Sequence, residues 1–208
     1  MTTPTSSSSP IIALPDVPGI RGPLEKYPAT GRILCELAQE VLINQATETF
    51  TKAERETVAS YVSFLNHCQF CLASHVAVAD ELWNVPGYTK CLWLDHMDKC
   101  VVEEGKLNVS RVESMESKRL CILMELAKCI QSLKYESIGD LAEQAKQLGS
   151  TEKDIHDAVL ISSSFNLFNR YVNGLNTVCP SASDPYFREA AKRLTTIGYL
   201  MPPQEKKE

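Results

Sequence analysis

Three short polar signatures, each opening a stretch of apolar residues at helical spacing, constrain this chain more than anything else in it. Thr51-Lys52-Ala53-Glu54 and Ser110-Arg111-Val112-Glu113 have the form of a capping box, and Thr151-Glu152-Lys153-Asp154 offers the same arrangement with Asp in the last place. In such a box the hydroxyl accepts from a backbone N–H three residues on, while the acid reaches back to the hydroxyl residue's own N–H. They predict helices starting near Lys52, Arg111 and Glu152 and running to about Asn66, Leu133 and Asn173. Other segments follow the same period. Ile33, Leu34, Leu37, Val41 and Leu42 place a helix over 31–44, and Leu72, His75, Val76, Ala79 and Leu82 extend one from Cys68 to the Pro86-Gly87 break. Residues 88–103, 137–148 (ending at Gly149) and 185–197 read as helices too, and no segment alternates as a strand would. The expected class is all-α, a single helical domain of seven or eight helices.

The ends read differently. Residues 1–9 are Ser/Thr/Pro-rich, and residues 10–23 carry Pro10, Pro15, Pro18 and Pro23, so 1–23 is expected to be disordered and then extended along the surface. The helical domain is expected over 24–198, with a polar tail over 199–208. The net charge of −5 and the lack of a basic cluster argue against nucleic acid as a partner. No apolar run is long enough to span a bilayer, and the N-terminus lacks the basic and apolar regions of a secretory signal, so the expected compartment is the cytoplasm. Of the eight cysteines, at 35, 68, 71, 91, 100, 121, 129 and 179, six are expected to be small buried hydrophobes.

The remaining two are Cys68 and Cys71. At i and i+3 their sulfurs share one helix face, and at the first turn of a helix the free N–H groups favour a thiolate. His75 lies four residues beyond Cys71, on the same face, where it can take the thiol proton. Glu56 is twelve residues before Cys68. On one continuous helix that would be roughly 18 Å away. A break at Asn66-His67 with the two helices folded back as an antiparallel pair would bring its carboxylate to the Cys68–His75 face as a proton acceptor. Two readings follow. One is a dithiol redox centre. The other is a non-catalytic module in which Cys68, Cys71 and His75 bind zinc or act as a redox-sensing switch. His67 and His156 read as exposed, His96 as solvated or packed, and Asn169-Arg170 as structural.

The register of Glu56, Ser63, Asn66, Cys68, Cys71 and His75 resembles the core motif of the alkylhydroperoxidase D-like, or carboxymuconolactone decarboxylase-like, superfamily. It is especially similar to the peroxidase-related branch. Residues 155–175, with Asn169, Arg170 and Gly174, resemble the helix behind the site in that branch. Phe70 departs from the best-known members, which carry a second His there, although other members of the branch have an aromatic residue. The resemblance implies a helical fold that forms homo-oligomers. It implies a thiol-dependent peroxidase with Cys71 as the peroxidatic cysteine, Cys68 as the resolving one, and His75 and Glu56 as the proton relay. It also implies a hydroperoxide substrate and a dithiol or lipoyl-protein reductant, with no organic cofactor.

Overall fold

The Thr51 and Thr151 boxes both close. Thr51 Oγ1 accepts from the Glu54 N–H at 3.3 Å while Glu54 Oε2 accepts from the Thr51 N–H at 2.8 Å, and Thr151 and Asp154 exchange the same pair at 3.1 and 2.9 Å. The helices they open, α3 (Lys52–Leu65) and α8 (Glu152–Gly174), pack together at the centre of the molecule. The structure is a computed structural model and describes the backbone of residues 9–99, 101–103, 106–108 and 115–201, with the side chains of 94–116 outside the description. The expectations for residues 1–8, the Ser110 box, Cys100, the His96 side chain and the end of the tail lie outside the described residues.

Around α3 and α8 are α1 (Arg21–Lys26), α2 (Pro28–Gln39), α4 (Gln69–Trp83), α5 (Tyr88–Lys99), α6 (Met115–Ser132), α7 (Ile138–Gln147) and α9 (Pro185–Ile197). The class is all-α, as expected. Three details differ from the sequence reading. The last residues of the proline-rich arm are helical, since α1 starts at Arg21 and buries Gly22 and Pro23; a proline in the first turn costs no hydrogen bond. The segment 88–103 ends its helix at Lys99, and Val101–Glu103 pairs antiparallel with Lys106–Asn108 in a three-residue hairpin. The helix over 31–44 starts at Pro28 and finishes as a π-helical turn, Glu40–Asn44.

The core is continuous from Leu42 and Phe50 through Val58, Ala59 and Val62 to Ile122, Leu126, Ile161 and Phe165. Helix α3 is buried on every side, from Ala53 to Ser63. Its polar residues therefore need partners inside the protein. Arg55, wholly buried, donates to the Phe50, Val41 and Gln45 carbonyls at 2.9, 2.8 and 2.7 Å and to Asp157 at 2.6 Å. That knot ties the start of α3 to the π turn and to α8. It fixes the height of the next residue, Glu56. Cys35, Cys121 and Cys129 are buried as expected, but Cys91 and Cys179 are exposed: one sits at the outer face of α5 and the other in the α8–α9 connection.

Candidate functional site

The break between α3 and α4 falls where the sequence places it. Asn66 ends α3, His67 takes a left-handed conformation at φ +54°, and Cys68 is the N-cap of α4. The Cys68 N–H donates to the Ser63 carbonyl at 3.0 Å, which folds α4 back on α3. The antiparallel pair brings Glu56 to His75. Glu56 Oε2 lies 2.7 Å from His75 Nδ1, and the Glu56 side chain is wholly buried. A carboxylate can only accept, so His75 donates from Nδ1 and keeps Nε2 as the nitrogen able to take a proton.

A third member comes from beyond α9. The Tyr199 hydroxyl donates to Glu56 Oε1 at 2.7 Å, lies 3.4 Å from His75 Nδ1, and its ring stacks on the imidazole with centroids 6.0 Å apart. Gln39 holds the segment in place by accepting from the Tyr199 N–H at 2.7 Å, and Gly198 makes the turn at φ +77°. Burial, the Glu56 charge and the hydrogen bond to it push the Tyr199 phenol well above its ordinary range, so it stays a donor. The sequence reading assigned this residue to a polar tail; no periodicity marks it. On the other side of the imidazole, Phe165 meets it edge-on at 4.6 Å.

Cys68 and Cys71 are free thiols, both buried. The Cys71 thiol is placed to donate a hydrogen bond to the Cys68 sulfur once Cys68 is ionised. That bond draws the Cys68 thiol below its ordinary value despite burial, with help from the Asn169 amide. The same bond, burial and the charge on Cys68 push Cys71 well above its ordinary value. Access divides the pair in the opposite sense. A cavity of about 560 Å³ has Cys71, Ser74 and His75 in its wall, but not Cys68. The rest of that wall is largely apolar, from Leu24, Leu34, Phe165, Phe168 and Leu194, with Tyr199 beside His75 and Arg193 among its charged groups. The four residues expected from sequence are thus brought to one place, with Tyr199 as an unexpected fifth: Glu56 contacts His75 and Tyr199, Cys71 shares a cavity wall with His75, and Cys68 lies beside Cys71 and outside that wall.

Phe70, between the two cysteines in sequence, serves packing. It contacts Phe187 and Tyr186 of the α9 region at centroid distances of 5.8 and 6.2 Å. Gly19 lies so close to its ring that a Cβ there would come within 2.2 Å of it, and Gly19 has φ +58°. Among the described residues no group of three or more His, Cys, Asp or Glu side chains converges as a metal site. No described helix is long and apolar enough to cross a membrane. His67 and His156 are exposed, as expected. Asn169 is wholly buried beside the thiols, whereas the sequence reading gave it only a structural part.

No family model and no curated protein matches the chain. Solved structures do match. One is an uncharacterized peroxidase-related protein from Ralstonia eutropha JMP134 with the alkylhydroperoxidase AhpD core; the TM-score is 0.64 at 19% identity, over 85% of this chain and 82% of that one. Another is an uncharacterized peroxidase-related protein from Silicibacter sp. TM1040, with a TM-score of 0.60 at 20% identity over 77% of this chain and 76% of that one. This chain therefore has the fold of the alkylhydroperoxidase AhpD core.

Proposed function

We propose that the protein is a thiol-dependent peroxidase that reduces organic hydroperoxides by a dithiol–disulfide cycle. The observation that carries this reading is that Cys71 and His75 share the wall of one largely apolar cavity, with His75 held from behind by Glu56 at 2.7 Å and with a second, more acidic thiol behind Cys71. The cavity is suited to a hydroperoxide with an apolar body.

In the proposed cycle His75 Nε2 takes the Cys71 thiol proton. The Cys71 sulfur attacks the terminal peroxide oxygen, forming the S–O bond of a sulfenic acid as the O–O bond breaks. His75 returns the proton to the leaving alkoxide, giving the alcohol. The Cys68 thiolate then attacks the Cys71 sulfur, closing a disulfide and expelling hydroxide, which takes a proton from solvent to leave as water. A small or protein-bound dithiol reverses the disulfide. It attacks the Cys71 sulfur from the cavity and expels Cys68, the better leaving group because its thiol is the more acidic. The second thiol of the reductant then resolves the mixed disulfide.

The test is turnover of an organic hydroperoxide by purified protein with dihydrolipoamide as reductant. The wild type is expected to consume both, and Cys71→Ser and Cys68→Ser to consume neither beyond background. Absence of wild-type turnover, or turnover unchanged in Cys71→Ser, overturns the assignment.

A further inference from the structure

The cysteine pair lies against a chain of amides, of which Asn169 is buried and Asn66, Asn166 and Gln131 half-buried, whose direction is fixed from both ends. Ser63 Oγ donates to the Ala59 carbonyl at 2.9 Å. A carbonyl only accepts, so the single Ser63 proton is spent there, and Ser63 can offer Asn169 only a lone pair. Asn169 therefore presents its NH₂ end, with Nδ2 3.1 Å from Ser63 Oγ. At the far end, the Arg170 guanidinium, which only donates, lies 2.6 Å from Asn166 Oδ1. Asn166 thus shows its oxygen inward, and Asn66 Nδ2 donates to it at 3.0 Å. The same Nδ2 donates to Asn169 Oδ1 at 2.9 Å, and Gln131 Nε2 donates to Asn66 Oδ1 at 3.1 Å. Every amide orientation follows from a group whose role cannot be reversed.

One proton is left over. Asn169 Nδ2 carries two, and Ser63 accepts one. Asn169 is wholly buried, and so is Cys68, whose own N–H is held by the Ser63 carbonyl. We propose that the free N–H of Asn169 is a fixed donor to the thiolate of the Cys68–Cys71 pair, and that Asn66 is a positioning residue that keeps the NH₂ end of Asn169 turned toward sulfur. Were Asn169 to flip, its oxygen would face the thiolate, and Asn66 would point a donor at a donor. The lowering effect of the Asn169 amide on both thiols agrees with this direction.

The consequence concerns redox poise as well as acidity. A donor that favours thiolate over disulfide sulfur stabilises the reduced form and makes the disulfide a stronger oxidant. The inference stands whether or not peroxide is the physiological oxidant. Its readouts are therefore the ultraviolet thiolate titration of the reduced protein and the equilibrium of the pair with a dithiothreitol redox buffer, not peroxide turnover. Asn169→Leu, close in volume and without a donor, is expected to leave about tenfold less thiolate at a fixed pH below the midpoint, and to move the exchange equilibrium toward the disulfide by a similar factor. Asn66→Ala, at a half-buried position, is expected to move both in the same direction by less, and it serves as the test if Asn169→Leu does not fold. A folded Asn169→Leu protein that titrates and equilibrates as wild type overturns the proposal. So does an Asn66→Ala protein with both readouts unchanged.

Discussion

Arg55 offers the sharpest test of how the site is held. Its guanidinium is wholly buried, stacks over the Phe50 ring at 4.6 Å, and spends four hydrogen bonds on three carbonyls and Asp157. Arg55→Met keeps the apolar stem and removes the charge. Asp157 is then left buried with Lys153 and His156 as its remaining partners, and the Val41, Gln45 and Phe50 carbonyls each lose the bond from the guanidinium, Phe50 keeping the Thr47 N–H and Gln45 the Lys153 ammonium. Removing one member of a buried pair costs about 3–5 kcal/mol. For a chain of this length that lowers Tm by roughly 6–20 °C, at about 2–4 °C per kcal/mol. The assay is urea and thermal unfolding followed by circular dichroism, with Asp157→Leu and the double variant completing a cycle. The double variant should recover only in part, because it relieves the stranded carboxylate but does not restore the guanidinium's bonds to the three carbonyls. A loss under about 1 kcal/mol in Arg55→Met, the scale of an exposed ion pair, would refute the account.

Three further outcomes are expected. Cys71→Ala removes the donor that lowers the Cys68 thiol, so at a fixed pH below the midpoint Cys68 should hold about tenfold or more less thiolate; an unchanged ultraviolet titration contradicts this. Glu56→Gln should cut hydroperoxide turnover by about a hundredfold, the scale of a lost proton-handling group, and Tyr199→Phe, which keeps the ring and loses one hydrogen bond to the carboxylate, by about tenfold; equal rates in all three proteins would disprove the relay. Burial alone would raise Asp154 and Asp157, but hydrogen bonds from Thr49, Thr151 and Thr47 to the first, and from Lys153, Arg55 and His156 to the second, hold both below the ordinary carboxylate value. Carboxylates lowered on folding stabilise the protein above their unfolded value of about 3.9 and lose that contribution as pH falls through the folded one, so urea midpoints should drop in that acid window and Asp157→Asn should flatten the slope.

What the sequence discloses here is what is local or periodic. The boxes at Thr51 and Thr151 are complete within four residues, and the structure forms both. Glu56, Cys68, Cys71 and His75 lie on two adjacent helices, so their register and one break at Asn66-His67 are enough to bring them together. Tyr199 carries no such signal. It arrives from outside any helix, through a left-handed Gly198 and a contact with Gln39, and its partner Glu56 is 143 residues away. Arg55 was hidden for a different reason. An arginine in the first turn of a capped helix reads as solvated, and only the burial of α3 on every side turns it into the centre of a polar knot. Asn169 looked structural because the polarity of its amide depends on Ser63, Asn66, Asn166 and Arg170 together. Cys91 and Cys179 were misplaced because a cysteine count carries no information on which face of an element it occupies.

The late arrival of Tyr199 has a consequence for biosynthesis. Glu56, Cys68, Cys71 and His75 are translated well before the hydroxyl that bonds to Glu56, which follows 143 residues after it. At ribosomal speeds of about 5–20 residues per second, the delay is roughly 7–30 s. Through that interval Leu194 and Tyr199, which wall the cavity beside Cys71, have yet to dock, and Phe187 has yet to cover Phe70. The nascent chain thus carries a paired thiol without its shelter, and its vulnerability to oxidation is set by how fast the last helix follows.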